Sequence, residues 1–373
     1  FIMVSKRIGH KPKIAAALAL VQLLAIQQFC YGQDSTSTLG LNLYSSAFFD
    51  NKEFTGDIKK GYTLPGFFIQ PVINFSTDNY SVEAGFHLLY MAGTDSLEHL
   101  VPVLTLARKL SKSSTILVGT LDARNGHFLP EPLFKSERVF TSQPETGVQL
   151  KHKTNNTFSD LWINWEQFIK TGSPFQEQFT VGFTFQYLES NSKTPVFFTK
   201  TMALATHQGG QIDSTNLPVT TIVNIGETAG ILIPLKPGNA NLSIEVSGFL
   251  SADKSPNPHL KYDQGYAFYP RIQMEWPFTR FSFGYWHARS FINPRGEELF
   301  GSLSTVNPTL DSKVRKLVTC SLEYSKTLQQ GFTFGVGVNG YYDTRQGLLD
   351  YSYTFRMIFD GELVRFRRTG ASR

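Results

Sequence analysis

The chain has 373 residues, of which 35 are Lys or Arg and 30 are Asp or Glu, giving a formal net charge of +5 at pH 7. Beyond residue 32, no segment approaches the roughly 18 unbroken apolar residues that a membrane helix needs. The composition therefore excludes a helical membrane protein, although 14% of the residues are aromatic.

The first 32 residues have the pattern of a signal peptide that is removed from the mature protein. Four basic residues precede an apolar run, residues 14–26, that is too short for a membrane helix. Gly32 supplies a small residue before the predicted cut, which leaves Gln33 as the new N-terminus. The alternative is a lipoprotein anchored through Cys30, but Phe29 occupies a place where that processing needs a small residue.

Cleavage would change the charge and the cysteine content. Removing residues 1–32 takes away four basic residues and no acidic one, so the net charge falls to about +1. The basic character then belongs to the leader, and we expect no nucleic-acid partner. Cys320 remains as the single cysteine, which excludes an intramolecular disulfide and a cysteine-rich zinc site.

From residue 39 onward one unit repeats along the chain. A segment of alternating apolar and polar residues is followed by a short polar turn, a second such segment and a longer loop. We predict about sixteen strands in this order: 39–49, 64–75, 80–90, 100–110, 114–124, 146–153, 157–168, 177–188, 194–206, 219–234, 241–252, 262–275, 279–291, 314–325, 331–342 and 349–359.

This pattern predicts an all-β fold, a closed antiparallel transmembrane β-barrel with short periplasmic turns and long extracellular loops. A soluble β-sandwich would also alternate. However, aromatic residues such as Phe75, Tyr80, Trp276 and Phe278 gather beside the short turns, where a girdle at the bilayer interface should lie. The strands are also longer than those of globular sheets. We therefore predict one barrel domain, residues 33–373, in the bacterial outer membrane.

In its architecture the chain resembles the porin-like outer-membrane barrels of Gram-negative bacteria, although no diagnostic motif accompanies the resemblance. It implies that the long connection 125–145 folds into the lumen and constricts it, and that charged residues of this loop face charged residues of the wall. The candidates are Glu131, Glu137, Arg138 and Glu145 on the loop, with Arg271 and Arg356 on the wall. The family's Gly-rich acidic loop signature and its C-terminal aromatic residue are both absent.

A second group of candidates lies on one predicted strand. Alternation places Asp160, Trp162, Asn164 and Glu166 on the lumen face. Such a set could stack on and hydrogen-bond a sugar-like solute, or it could form a network that only stabilises the barrel. His87 is predicted to face inward as well, as a lumen residue rather than a metal ligand.

The loop also contains His127, Glu131, Ser136 and Glu137, which could be interpreted as a hydrolase site with a histidine base and a serine nucleophile. Nothing in the sequence fixes their geometry, and the ordered Ser/His/Asn pattern of outer-membrane phospholipases is absent. We therefore expect that the protein is not an enzyme and that it has no metal or other cofactor.

The favoured function is a channel for passive passage of small polar solutes, because about sixteen strands enclose an aqueous lumen. Two alternatives stay open, a scaffold or subunit of an envelope complex and, less favoured, a membrane-embedded hydrolase. The expected partners are outer-membrane lipid, small polar solutes and the barrel-assembly machinery, with a homo-oligomer or an envelope complex as further options.

Overall fold

A computed structural model describes residues 37–189, 195–235, 239–310, 312–328 and 331–368. The predicted signal peptide, residues 1–32, and the alternative lipid anchor at Cys30 lie outside the described residues. None of the described helices is long and apolar enough to cross a bilayer.

Sixteen antiparallel strands form one closed barrel, in which each strand pairs with its neighbours in sequence and β1 pairs with β16. The strands are β1 (Ser37–Glu53), β2 (Tyr62–Ser76), β3 (Tyr80–Met91), β4 (His99–Lys109), β5 (Ser114–Thr120), β6 (Thr146–Lys153), β7 (Thr157–Gln167), β8 (Gln178–Leu188), β9 (Val196–Gln208), β10 (Thr220–Leu235), β11 (Ala240–Asp253), β12 (Gln264–Glu275), β13 (Thr279–Arg289), β14 (Val314–Thr327), β15 (Phe332–Asp343) and β16 (Leu348–Arg368). The predicted fold class and strand count are confirmed.

The predicted end of β5 is wrong, because this strand ends at Thr120 rather than Arg124. Gly119 adopts a left-handed backbone conformation (φ +99°), and a Cβ there would lie 2.1 Å from the carbonyl oxygen of Leu104. Only glycine fits this position, and the chain leaves the wall there and turns inward. As a result β5 has seven residues and β6 has eight, the two shortest strands among the described elements.

Alternation along the strands separates a lipid face from a lumen face. On β4, Leu100, Leu104 and Leu106 are exposed on the outside, whereas Val103 and Thr105 are buried inside. Outward apolar side chains contact the hydrocarbon of the bilayer, and inward polar side chains contact water or each other. Residues 101–106 are apolar on both faces, so alternation alone does not give the register of this strand; the structure pairs Val101 with His87.

The chain itself occupies part of the lumen. Two long connections enter it, the first inner segment (residues 121–145) and the second inner segment (residues 290–310, 312 and 313). The first carries a short α-helix, α1 (Arg138–Thr141), and each carries a single turn of 3₁₀-helix. Their apolar side chains pack against inward side chains of the wall in one buried cluster: Phe54, Ile58, Leu121, Leu133, Trp162, Met202, Leu204, Phe249, Ala267, Tyr269, Trp286, Ala288, Phe291, Leu299, Phe300, Leu317 and Tyr341. Such a core inside the barrel contrasts with the open aqueous lumen that the sequence suggested.

Candidate functional site

The first inner segment crosses the lumen from one wall to the other. It leaves β5, and Arg124 then reaches Asp360 of β16 (2.8 Å) with its guanidinium over the ring of Tyr44. Further along, the carbonyl oxygen of Phe128 accepts a hydrogen bond from Lys200 on β9 (2.9 Å). The segment is therefore tied to opposite sides of the barrel.

His127 anchors this segment to β7. Its ring stacks on the indole of Trp162, with centroids 3.7 Å apart and planes at 4°. Nδ1 lies 2.8 Å from Asp160 and Nε2 lies 3.0 Å from Glu145. Burial by itself lowers the pKa of His127, but the hydrogen bonds to the two carboxylates outweigh it and raise the pKa to about 9. The ring is a clamped imidazolium, and neither nitrogen is free to accept a proton.

The second inner segment is bound to the first through backbone and side chains. The amide of Lys135 donates to the carbonyl of Arg295, and the amide of Glu297 donates to the carbonyl of Glu131. The Glu131 carboxyl accepts a hydrogen bond from Tyr341 on β15 (2.6 Å). Burial raises the pKa of Glu131 to about 7, and the neighbouring Glu297 adds to this effect.

A network of six charges lies where the two segments meet the wall. Lys52 of β1 contacts Glu297 (2.6 Å) and Glu137 (2.7 Å). Lys59 and Lys135 extend the network to Glu298. Burial alone would raise the pKa of Glu137, but the two nearby lysines lower it. Paired in this way, these charges hold the two segments in place.

The remaining predicted site residues also have partners. Glu166 binds Arg295 (2.5 Å) and lies 3.5 Å from Arg138. Asn164 accepts a hydrogen bond from the amide of Thr146 (2.9 Å). Arg271 pairs with Glu245, and Arg356 lies over the ring of Phe140, 4.1 Å from its centroid.

The structure thus separates the predicted site residues into different groups. Glu145, Asp160 and Trp162 meet at His127, whereas Glu131 and Glu137 belong to contacts elsewhere. The four residues considered as a hydrolase site, His127, Glu131, Ser136 and Glu137, do not form one. His127 binds two carboxylates, and no described contact joins it to Ser136.

A cavity of about 550 Å³ remains between the first inner segment and the inner wall of β1–β7. His87 of β3 lines it and is only 4% exposed. Nδ1 of His87 lies 3.2 Å from the side-chain amide oxygen of Gln70. Nε2 is buried and has no hydrogen-bond partner among the described residues. His87 is therefore a buried ring in the cavity wall, and its Nε2 is unpaired among the described residues.

A polar group of another kind lies on the outer face at the loop end of β1 and β2. Thr63 pairs with Asn51 across the strands, on the side where Phe49 and Phe67 meet lipid. The Thr63 hydroxyl donates to the Asn51 amide oxygen (2.5 Å), and the Asn51 amide nitrogen donates to Glu53 (2.8 Å). Outward positions of a barrel are normally apolar. The hydrogen-bonded group of Thr63, Asn51 and Glu53 is therefore a second candidate site for a reaction on a lipid.

Sequence reasoning missed both groups. The Gln70 partner of His87 is 17 residues away, on the neighbouring strand, and its contact depends on pairing that the sequence does not display. The run Asp50–Glu53 was placed in a loop. In the structure β1 extends to Glu53. The polar residues of this run continue the alternation of β1, and that pattern could have indicated the longer strand.

Comparisons with known proteins concern both the chemistry and the fold. The sequence model of the lipid A 3'-O-deacylase-type family matches residues 31–367. No curated protein matches the chain. The expectation that the protein is not an enzyme is wrong, because the family that matches nearly the whole chain is described by an enzymatic reaction. The sequence alone did not predict an enzyme, because no recognised motif places a base beside a nucleophile along the chain.

Solved structures of similar fold are bacterial outer-membrane proteins. OmpT of Vibrio cholerae with its loop L8 deleted is 8% identical, with a TM-score of 0.51 over 86% of this chain and 99% of its own. OprD of Pseudomonas aeruginosa is 9% identical, with a TM-score of 0.49 over 87% and 96%. OccK2 (OpdF) of P. aeruginosa, solved with glucuronate, is 8% identical, with a TM-score of 0.49 over 87% and 98%. At 8% identity the likeness to OmpT shows the fold alone, and at that level the predicted outer-membrane barrel is confirmed.

Proposed function

The chain belongs to the lipid A 3'-O-deacylase-type family, and from this premise we propose that it is an outer-membrane hydrolase that releases an ester-linked acyl chain from a lipid A-like glycolipid. The observation that supports a site for this reaction is His87, a buried imidazole with an unpartnered nitrogen in a cavity of about 550 Å³. Cavities of this size accommodate small-molecule groups.

In the proposed reaction, the imidazole ring of His87 acts as a general base. Nε2 of His87 would take a proton from a water molecule while the water oxygen forms a bond to the ester carbonyl carbon. Collapse of the tetrahedral intermediate breaks the bond between that carbon and the sugar oxygen. The imidazolium then returns its proton to the departing sugar oxygen, which leaves a free hydroxyl and a fatty acid. This step needs the tautomer in which Nδ1 carries a proton and donates it to the amide oxygen of Gln70, 3.2 Å away.

The cavity walls suit an amphipathic substrate. Phe68, Leu117 and Leu121 supply an apolar surface for hydrocarbon, whereas Glu83 and Asn164 supply polar groups for a sugar. The packed lumen also favours this proposal over free diffusion, because the buried cluster and the charge network occupy space that a solute would need.

The experiment that tests the proposal compares three forms of the purified full chain in liposomes that contain lipid A, and measures release of fatty acid. We expect the wild type to release it and His87→Ala to lose at least a hundred-fold in rate, the usual contribution of a general base. Thr63→Val is the matched variant on the outer face. Retained activity in Thr63→Val supports the cavity, whereas loss there with retention in His87→Ala would move the reaction to the outer face and overturn the assignment of His87.

A solute channel is the second candidate function. A closed barrel of sixteen strands and a first inner segment that folds into the lumen favour it. In that case Glu131, Glu137, Arg138 and Glu145 would bound the constriction, opposite Arg271 and Arg356. Conductance in planar bilayers tests it: stable steps whose ion selectivity changes in Glu137→Gln support a channel, and silence from folded barrel contradicts it.

A further inference from the structure

The barrel wall has a gap on the loop side, between β4 and β7. β4 pairs with β5 only from Thr105 to Lys109, so residues 99–104 have no strand beside them on that side. β7 pairs with β6 only up to Asn164, and its last three residues extend beyond β6. The paired part of β4 corresponds to about 13 Å of height at a normal strand rise and tilt. The gap therefore opens within the roughly 25 Å apolar band of such barrels.

An unpaired strand edge within a bilayer costs free energy unless its amides have hydrogen-bond partners. On this edge of β4, two positions leave no amide hydrogen unpaired. The amide of Leu104, which points toward β5, donates to the side-chain oxygen of Thr120 (3.2 Å). The next residue of β4 that points the same way by alternation is Pro102, which has no amide hydrogen. Two consecutive positions of the edge thus present no unsatisfied donor.

The gap joins the lipid surface to the cavity. On its margins Leu100 is 62% exposed and Leu104 is 48% exposed, both on the outer face. Trp165 of β7 is outward and 44% exposed, yet it also lines the cavity together with Pro144 of the first inner segment. The described side-chain contact across the opening is a weak one, from Gln143 to Nδ1 of His99 at 3.4 Å.

We propose that this gap is a lateral doorway through which an acyl chain of an outer-leaflet lipid passes from the bilayer into the cavity. The occupant is a hydrocarbon chain still attached to its membrane lipid, because the outward side chains Leu100, Leu104 and Trp165 on the margins are apolar and the opening faces the bilayer. The inference deepens the proposed function by naming the route and the physical state of the substrate, and it rests on that function only for turnover.

A cross-link across the doorway tests the route. The double variant His99→Cys/Gln143→Cys is made with Cys30→Ser and Cys320→Ser, and is treated with a short bismaleimide. The same variant treated with N-ethylmaleimide is the control. We expect the bridged form to lose at least ten-fold in fatty-acid release from liposomal lipid A and less than two-fold in hydrolysis of p-nitrophenyl butyrate. Unchanged lipid turnover after complete bridging would overturn the doorway.

A second measurement does not depend on catalysis. The wild type is reconstituted with a phospholipid that carries a diazirine at the end of one acyl chain, and the photoadducts are mapped by mass spectrometry. We expect adducts on the inward side chains Phe68 and Leu117, and their loss in the bridged variant. Adducts confined to outward residues such as Leu100 and Leu250 would overturn the doorway. Adducts on interior residues without turnover of lipid A would support the doorway and contradict the proposed hydrolase function.

Discussion

The imidazole of His127 lies flat on the indole of Trp162, with 3.7 Å between the ring centroids. This stack fixes a loop residue against an inward side chain of β7, and the carboxylates of Asp160 and Glu145 hold the ring from both ends. The first inner segment is therefore part of the folded barrel, which gives the cavity beside it a defined wall.

The contacts of the His127 ring with Asp160 and Glu145 should make the protein less stable at alkaline pH. The folded-state pKa of about 9 lies above the ordinary value of 6.5, so the stabilisation is complete below pH 6.5 and is lost as pH rises through 9. We expect the free energy of unfolding in urea to fall by about 3 kcal/mol between pH 6 and pH 10. Asp160→Asn should show a clearly smaller fall, and an equal fall in both proteins would contradict the clamp.

Glu131 predicts a change over a more acidic range. Burial raises its pKa to about 7 from 4.5, so the folded state holds its proton more tightly than the unfolded state. Stability contributed by this residue therefore decreases as pH rises from 4.5 to 7. Glu131→Gln keeps an acceptor for Tyr341 and removes the charge, so its unfolding free energy should exceed that of the wild type at pH 8 and match it at pH 4. A variant less stable at pH 8 would count against this view.

Gly182 predicts a steric effect on the same stack. A Cβ at this position would lie 2.1 Å from the indole of Trp162, whereas at Gly335 the nearest atom is 3.7 Å away. Gly182→Ala should displace the indole and cost about 1–3 kcal/mol in urea unfolding, the usual cost of overpacking. Gly335→Ala is the matched control, and similar losses in both variants would show that the indole is not the cause.

Glu297 and Glu298 are adjacent acids with different surroundings. The Glu297 side chain is 1% exposed and contacts Lys52 and Lys59, whereas that of Glu298 is 30% exposed. Glu297→Ala leaves buried lysines without a partner and should cost about 3–5 kcal/mol. Glu298→Ala should cost about 1 kcal/mol or less, because its ion pairs are partly hydrated. Equal midpoints of urea unfolding for the two variants would contradict a role of Glu297 in holding the second inner segment.

The barrel was predictable because the bilayer imposes a local rule on every strand. Phe179, Val181 and Phe183 alternate with polar residues whatever their neighbours are, so the period of two appears directly in the sequence. The end of β5 was not predictable in this way. The left-handed backbone of Gly119 ends the strand, and the sequence after it continues to look like a strand.

The candidate site depended on contacts between distant residues. Alternation correctly gave the face of Asp160 and Trp162, but their partner His127 lies 33 residues before Asp160 and reaches it only because the first inner segment folds back. The lumen core depends likewise on the second inner segment, which brings Phe300 against Trp286 and Tyr341. Periodicity within a strand contains no information on how long loops fill a barrel.

Mass spectrometry of lipid A is the measurement that tests the central claim most directly. The purified full chain is folded into liposomes containing hexa-acylated lipid A, and heat-modifiable migration on a gel verifies the barrel. We expect lipid A to lose the mass of one acyl chain and an equal amount of free fatty acid to appear, with neither change in His87→Ala. Lipid A that stays intact beside verified folded wild-type protein would contradict it.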